Sequence, residues 1–356
     1  MIVNKDKNMN TSGLIIDARS ITQLIYINSV FGKLFSSNNT FLIWKGSKKD
    51  LKLASKLLNI PKNFYIFDIN STDKNLAINF KDVRKIKNLC KKIISINSSN
   101  TLCTCFASGF YFDFLRNSLR IKDNDVIQFD DGLINGFVQK KKYRTLRFLI
   151  NLMHGFYYYP SEYALFSDKR FNKIFTSINP QNIVFLKNKN IINISKFVSS
   201  SFMKLSNKFI NIEMPGSALI MTAPTIEGGR MTKAEYRTLM LRVYSKLKSF
   251  GVKKIYLSKH PSEKKMSDQL YKKLGFDFKY ANYPSELIML NKNISLIVNP
   301  INSTMLMAEF FGLLKNKANV ISYVPNKSPF VDIRIANISK ILKKNNINHH
   351  LIGTNE

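Results

Sequence analysis

Three short polar clusters stand in order along this 356-residue chain: Asp130-Asp131-Gly132, His260-Pro261 and Ser303-Thr304. Each follows an apolar run that reads as a β-strand, at 125–129, 254–257 and 294–298. Open α/β sheets bind their ligands beyond the carboxyl ends of the strands. Polar clusters at three such ends are therefore what an active site would be built from. They offer a carboxylate base, an imidazole to steady a departing group, and hydroxyls at a helix start that suit a phosphate.

Each cluster also has a plainer role. Adjacent residues on extended backbone point in opposite directions, so one of Asp130 and Asp131 can face a cleft as a base while the other caps a turn. Gly132 permits a tight bend, and Asp-Asp-Gly is a common turn sequence in its own right. His260 comes just after a strand, and Pro261 fixes the backbone beyond it. As imidazolium it would donate to a phosphate oxygen, although a loop histidine is often an ordinary surface residue. Ser303-Thr304 opens an apolar helix predicted over 305–314, where free backbone N–H groups favour an anion; Ser303 is equally a normal N-cap. Glu286 begins another helix, placed to accept from ribose hydroxyls or merely to complement a helix dipole.

The elements that must carry these residues alternate. The first half predicts strands at 14–17, 40–44, 64–67, 101–106 and 125–129, with helical spacing at 21–34, 49–58, 80–94 and 110–119. Such alternation makes βαβ units on a parallel sheet. Residues 140–180 break the rhythm. Within them, 143–159 is aromatic and basic, with Arg144 and Arg147, and predicts a helix that lies on a membrane surface or packs on its own domain. Alternation restarts with a strand at 218–222 and a turn at 224–229. A helix then runs from Thr232, which forms a capping-box pattern with Glu235, to Phe250, with Gly251 as its C′ residue. Strands at 254–257, 276–280, 294–298 and 319–323 and a helix at 264–274 follow. The fold class is α/β: two Rossmann-like domains, 1–190 and 191–356, joined near 192–211 and facing each other across a cleft.

The composition sets bounds. At 45% hydrophobic residues the chain can bury two cores of ordinary size. A formal charge of +32 suits nucleic acid, an anionic membrane or an anionic sugar. Lys, Asn and Ile crowd every segment, however, so compositional bias explains the charge equally well. The basic residues are dispersed and no nucleic-acid reader motif appears, so nucleic acid is not the expected partner. Cys90, Cys103 and Cys105 are too few for a disulfide scaffold and wrongly spaced for zinc, which points to a reducing compartment. The polar N-terminus lacks an apolar signal core, and no run approaches a membrane span of about 20 residues. A cytoplasmic protein is expected, with no cofactor: no metal-spaced cluster occurs and no Asp-x-Asp stands at a strand end. His154 reads as aromatic packing, and His349-His350 as a solvated tail.

Taken together, the three clusters resemble the motifs of bacterial GT-B-type sialyltransferases, the group that includes lipooligosaccharide sialyltransferases and capsular polysialyltransferases. Those families share an acidic pair followed by Gly, a His-Pro pair and a later Ser-Ser/Thr pair. Ser20-Ile21-Thr22-Gln23 after the first strand also resembles the Ser/Thr-x-x-Gln turn of that group. The resemblance spans residues 14 to 310, though each motif is only two or three residues long. It implies an inverting, metal-independent transfer of sialic acid from CMP-sialic acid to a lipooligosaccharide or capsule acceptor. Asp130 would be the base, paired with Asp131. His260, Pro261, Ser303 and Thr304 would hold the CMP phosphate, and Glu286 the ribose. The N-terminal domain would then serve the anionic glycan or glycolipid acceptor and the C-terminal one the CMP-sugar, at the inner face of an anionic membrane. A transferase that uses CMP-Kdo or a UDP-sugar keeps the same fold and is the alternative.

Overall fold

The structure, a computed structural model, describes residues 13–67, 80–97, 100–105, 109–129, 139–140, 143–157, 159, 163–164, 173–176, 190–260, 263, 267–301, 314, 317–324 and 331–353. The chain divides into two compact units, Met1–Val198 and Ser199–Glu356. The helix Ser195–Phe209 runs through the division.

In the first unit, strands β1 (Gly13–Ala18), β2 (Thr40–Trp44), β3 (Asn63–Ile66), β4 (Asn100–Thr104) and β5 (Val126–Phe129) alternate with helices. A short antiparallel pair follows, β6 (Gln139–Lys140) with β7 (Tyr163–Ala164). Strands β8 (Lys173–Thr176) and β9 (Asn190–Asn193) then rejoin the main sheet. That sheet is parallel, ordered β3-β2-β1-β4-β5-β8-β9. Every residue of β1 and β2 is buried, as expected of strands covered by helices on both faces. One layer of that cover joins Ile15, Phe41 and Ile43 of the sheet to Ile86, Leu89 and Ile93 of the helix Phe80–Ile96 and Phe112 and Leu115 of the helix Gly109–Ser118.

The second unit has a five-stranded parallel sheet of β10 (Ser217–Met221), β11 (Ile255–Ser258), β12 (Ile294–Pro300), β13 (Asn319–Tyr323) and β14 (Asn348–Ile352), ordered β11-β10-β12-β13-β14. The helix Lys233–Ser249 carries the expected capping box: Thr232 accepts from the Glu235 N–H while the Glu235 carboxylate accepts from the Thr232 N–H. Its buried stripe, Tyr236, Leu239, Met240, Val243 and Leu247, packs against Ala218, Ile220 and Leu257 of the sheet. Gly251 then reverses the chain at φ 69°, a left-handed backbone open to glycine at little cost.

Three expectations about elements are corrected. The strand predicted over 276–280 is a single bridge, Tyr256 to Asp277. The Asp277 carboxylate accepts from the Lys279 N–H at 2.7 Å, an Asx turn that pulls the chain off the edge of the sheet after one residue. Next, His349 and His350 are not a solvated tail but the middle of edge strand β14. The His349 ring lies 2.9 Å from both Ser339 Oγ and Ser322 Oγ, and the His350 ring lies 5.0 Å from that of Phe250. Burial lowers the pKa of both histidines. Finally, the stretch 140–180 breaks the rhythm as expected but contributes one strand that was not expected, Lys173–Thr176: β8 pairs with β5, and the Phe129 and Phe175 rings stack at 5.1 Å. His154 behaves as read, edge-on to Phe114 at 5.6 Å.

Candidate active site

Each sheet reverses its strand order once. In the first unit the chain builds outward from β1 through β2 to β3, then crosses to place β4 on the other side of β1. In the second unit the reversal falls between β10 and β12. Such switch points, at the carboxyl ends of the strands, are where open α/β sheets leave a crevice for a ligand.

At the first switch point stands Asp17, a charged residue 1% exposed at the end of β1. Lys45 Nζ pairs with its Oδ2 at 2.8 Å, and Thr104 Oγ1, opposite it on β4, donates to the same oxygen at 3.1 Å. The Lys45 ammonium also lies 4.5 Å from the centre of the Tyr111 ring. Burial, together with the Asp17 carboxylate, pushes the Tyr111 phenol well above its ordinary pKa and keeps it neutral. A buried carboxylate with both an ammonium and a hydroxyl on one oxygen is an anchor for three strand ends rather than a base. Ser20-Ile21-Thr22-Gln23 lies next along the chain. Ser20 Oγ accepts from the Gln23 N–H at 3.3 Å and Gln23 Oε1 accepts from the Arg19 N–H at 2.8 Å, so the motif works as a reciprocal cap on the helix Ile21–Phe31. Asp130 and Asp131 directly follow Phe129, the last residue of β5, and lie outside the described residues.

The second unit shows how the histidine is held. His260 is two residues past the end of β11 and exposed. Its N–H donates to Thr222 Oγ1, at the end of β10, at 3.3 Å, and its carbonyl accepts from the Glu263 N–H at 2.9 Å. Thr222 in turn donates to Glu263 Oε2, while Tyr271 donates to Glu263 Oε1 at 2.6 Å and its own oxygen lies 2.6 Å from that of Tyr236. Glu263 is 8% exposed. It acts as a buried post to which the loop after β11 and the end of β10 are both tied, leaving the His260 side chain exposed. Lys259, just before His260, is braced by Asp268 at 2.5 Å.

The loop from Thr222 to Arg230 follows β10 at the switch point. It folds back through the Gly228 N–H to Pro224 carbonyl bond at 2.9 Å and exposes Gly228, Gly229 and Arg230. On the other side of β11, the Lys259 N–H donates to the Ala281 carbonyl at 2.8 Å and Ser258 Oγ to the Tyr283 carbonyl at 3.3 Å. This fastens the turn that leads to Glu286, which is half-buried in the first turn of the short helix Ser285–Met289 and takes a bond from Ser285 Oγ at 3.3 Å. His260 and Glu286 are thus carried on neighbouring segments at the carboxyl end of β11. Pro261, Ser303 and Thr304 lie outside the described residues, the last pair just beyond β12 and Ile301. A depression of about 430 Å³ near Gly216, Val252 and Asn319 opens at the amino ends of this sheet, the wrong end for a ligand of this fold.

Reasoning from sequence passed over Glu263, Thr222 and Asp17. Signals for them existed: Glu263 is three residues past His260, and Asp17 is a single charge in an apolar strand, which burial tolerates only with a partner. Burial raises the Glu263 carboxyl above its ordinary pKa, outweighing the hydroxyls that lower it. A carboxyl so raised contributes stability at pH values below its unfolded pKa and loses it as pH rises through the folded one. The melting temperature should therefore carry a component that falls as pH rises above the ordinary carboxyl range, and Glu263→Gln should remove that component. Glu263→Ala should cost about 1–3 kcal/mol for each hydroxyl left without its acceptor. Identical pH slopes for wild type and Glu263→Gln in thermal melts would contradict this account.

Among the described residues no group of three or more His, Cys, Asp or Glu is placed to hold a metal ion, and no helix is long and apolar enough to cross a membrane. No family model matches the sequence, and no curated protein does. Solved structures do match. UDP-GlcNAc 2-epimerase from Methanocaldococcus jannaschii, solved with UDP-GlcNAc and UDP, is 14% identical over 96% of this chain and 89% of its own, with a TM-score of 0.54. MnaA from S. aureus, solved with UDP, is 9% identical over 87% of this chain and 78% of its own, with a TM-score of 0.52. At such identities the likeness concerns the fold, and the fold of this chain is accordingly the GT-B class of two Rossmann-like domains.

Proposed function

We propose that this protein is a glycosyltransferase that cleaves a nucleotide-sugar donor and passes the sugar to a cell-surface glycan. The observation that carries the reading is the exposed His260 on a loop beside the second switch point, tied from beneath by Thr222 and Glu263. A cation-capable donor on a rigid mount is suited to meet a phosphate whose charge grows as the sugar departs. Gly228 and Gly229 would let backbone approach the nucleotide phosphates, and Arg230 would add a fixed positive charge. Glu286 would receive the ribose hydroxyls. Asp130, with Asp131 beside it, would take the proton from the acceptor hydroxyl, while Pro261, Ser303 and Thr304 would complete the phosphate site. In this scheme the leaving nucleotide is neutralised by protein groups, without a metal or other cofactor.

Two donor classes compete. The structural relatives hold uridine nucleotides, which supports a UDP-sugar. The Asp-Asp-Gly, His-Pro and Ser-Thr series supports CMP-sialic acid, with CMP-Kdo between the two. The acceptor would be a lipooligosaccharide or capsular glycan, anionic to suit the charge of +32, made on the cytoplasmic side of the membrane. Incubation with CMP-sialic acid, CMP-Kdo and UDP-sugars, with EDTA present, should release CMP or UDP from one class and transfer sugar when a surface glycan is added. Release of nucleotide from none of them would defeat the proposal. Conversion of UDP-GlcNAc into its 2-epimer, with no transfer, would turn the reading to an epimerase.

A further inference from the structure

The helix Arg144–Met153 is mounted inside out. Its deepest residues are polar, Arg147 at 5% exposed and Asn151, one turn on, at 1%, while Ile150 beside them packs against the core. Arg147 pairs with the fully buried Asp113 at 3.2 Å, and burial lowers the guanidinium pKa against the opposing pull of that carboxylate. The opposite face is apolar and in the open, with Leu146 39%, Leu149 49%, Leu152 49% and Met153 74% exposed. Positions 146, 149 and 153 with 145 and 152 fall on one side of a 3.6-residue helix, directly across from 147 and 151. An ordinary amphipathic helix would turn its leucines inward, and here a buried ion pair holds the reverse orientation.

The chain after the helix extends this face. The Phe148 ring meets Tyr157 at 5.8 Å and Tyr159 at 5.3 Å, and the Arg144 guanidinium lies 4.9 Å from the centre of the Tyr159 ring. Tyr157 is 90% exposed, so a tyrosine rim flanks the leucine surface. Amphipathic rings of this kind favour the boundary between apolar and aqueous phases. Charge narrows the choice of what covers it. From Gly132 to Ser161 the chain contains no Asp or Glu and, besides the buried Arg147, has Lys140, Lys141, Lys142 and Arg144.

We propose that this face docks on the anionic surface of a lipid bilayer, the leucines and Met153 entering the head-group boundary and the flanking cations meeting lipid phosphates. An apolar wedge with a basic flank and no carboxylate has the chemistry that such a surface recognises. The proposal stands apart from the catalytic reading, since it uses none of the residues assigned there.

The test is sedimentation of the full chain with vesicles of phosphatidylglycerol and phosphatidylcholine, compared with phosphatidylcholine alone. Wild type should bind the anionic vesicles preferentially. Leu149→Glu/Leu152→Glu should weaken that binding by about tenfold or more with an unchanged melting temperature, because both side chains are half-exposed. Equal binding by the variant, or no wild-type preference for anionic lipid, would overturn the proposal. So would a wild-type dimer in sedimentation equilibrium that the variant splits while vesicles bind neither form, since the face would then belong to a second copy of the chain.

Discussion

Asp130→Ala should leave a folded protein that binds nucleotide normally and transfers sugar about 10²–10⁴-fold more slowly. The size follows from the role: a positioned base is worth that much when an acceptor hydroxyl must lose its proton as it attacks. The retained binding follows from the fold. Asp130 follows β5 in the first unit, whereas His260, Glu286 and the Thr222–Arg230 loop belong to the second. Donor hydrolysis by water should fall less than transfer, because water is present at high concentration and needs no docking. Asp131→Ala is the internal control. If turning over acceptor were slowed by Asp131→Ala and untouched by Asp130→Ala, the two roles would be exchanged. If neither substitution mattered, the base would lie elsewhere.

His260→Ala should lower the rate of donor cleavage about 10²–10³-fold at saturating donor, the usual cost of one missing donor to a developing anion. The substitution is a clean one. Thr222 and Glu263 grip the backbone of residue 260 through its N–H and carbonyl, so the loop keeps its course without the imidazole. Its melting temperature should match wild type, unlike that of Glu263→Ala. This contrast separates two ways of losing activity: His260→Ala removes the group itself, while Glu263→Ala releases its mount. Full activity of His260→Ala at saturating donor, measured as nucleotide release, would take the histidine out of the mechanism.

The strands and helices near the site were legible because local patterning wrote them. Strands 40–44 and 319–323 appear with the limits expected of them, and the Thr232–Glu235 box starts its helix where the residues said. Parallel strands covered on both faces must be continuous apolar runs, and such runs stand out in a sequence. Two other edge strands were not legible for the same reason, although the edge strands near 64–67 and 254–257 were. The edge strands Asn190–Asn193 and Asn348–Ile352 are half-exposed and polar, so they carry no such run, and hydrogen bonding to a neighbour far along the chain is what makes them strands. The opposite error occurred at 276–280, where apolar residues suggested a strand and one Asx turn prevented it.

What the sequence by itself determined is the set of candidate groups and their places after strands, because residue type and strand position are local properties. The tertiary structure alone decided which of those groups are mounted and which way surfaces face. Glu263 became a buried post only when Thr222, 41 residues away, and Tyr271 were folded onto its two oxygens. Asp17 became an anchor only beside Lys45 and Thr104. The helix Arg144–Met153 has an apolar stripe that packing on its own domain would turn inward. The ion pair between Arg147 and Asp113, distant in sequence and satisfied only inside the fold, turns it out. Burial and pairing are properties of three-dimensional neighbours, so they enter only when the chain closes on itself.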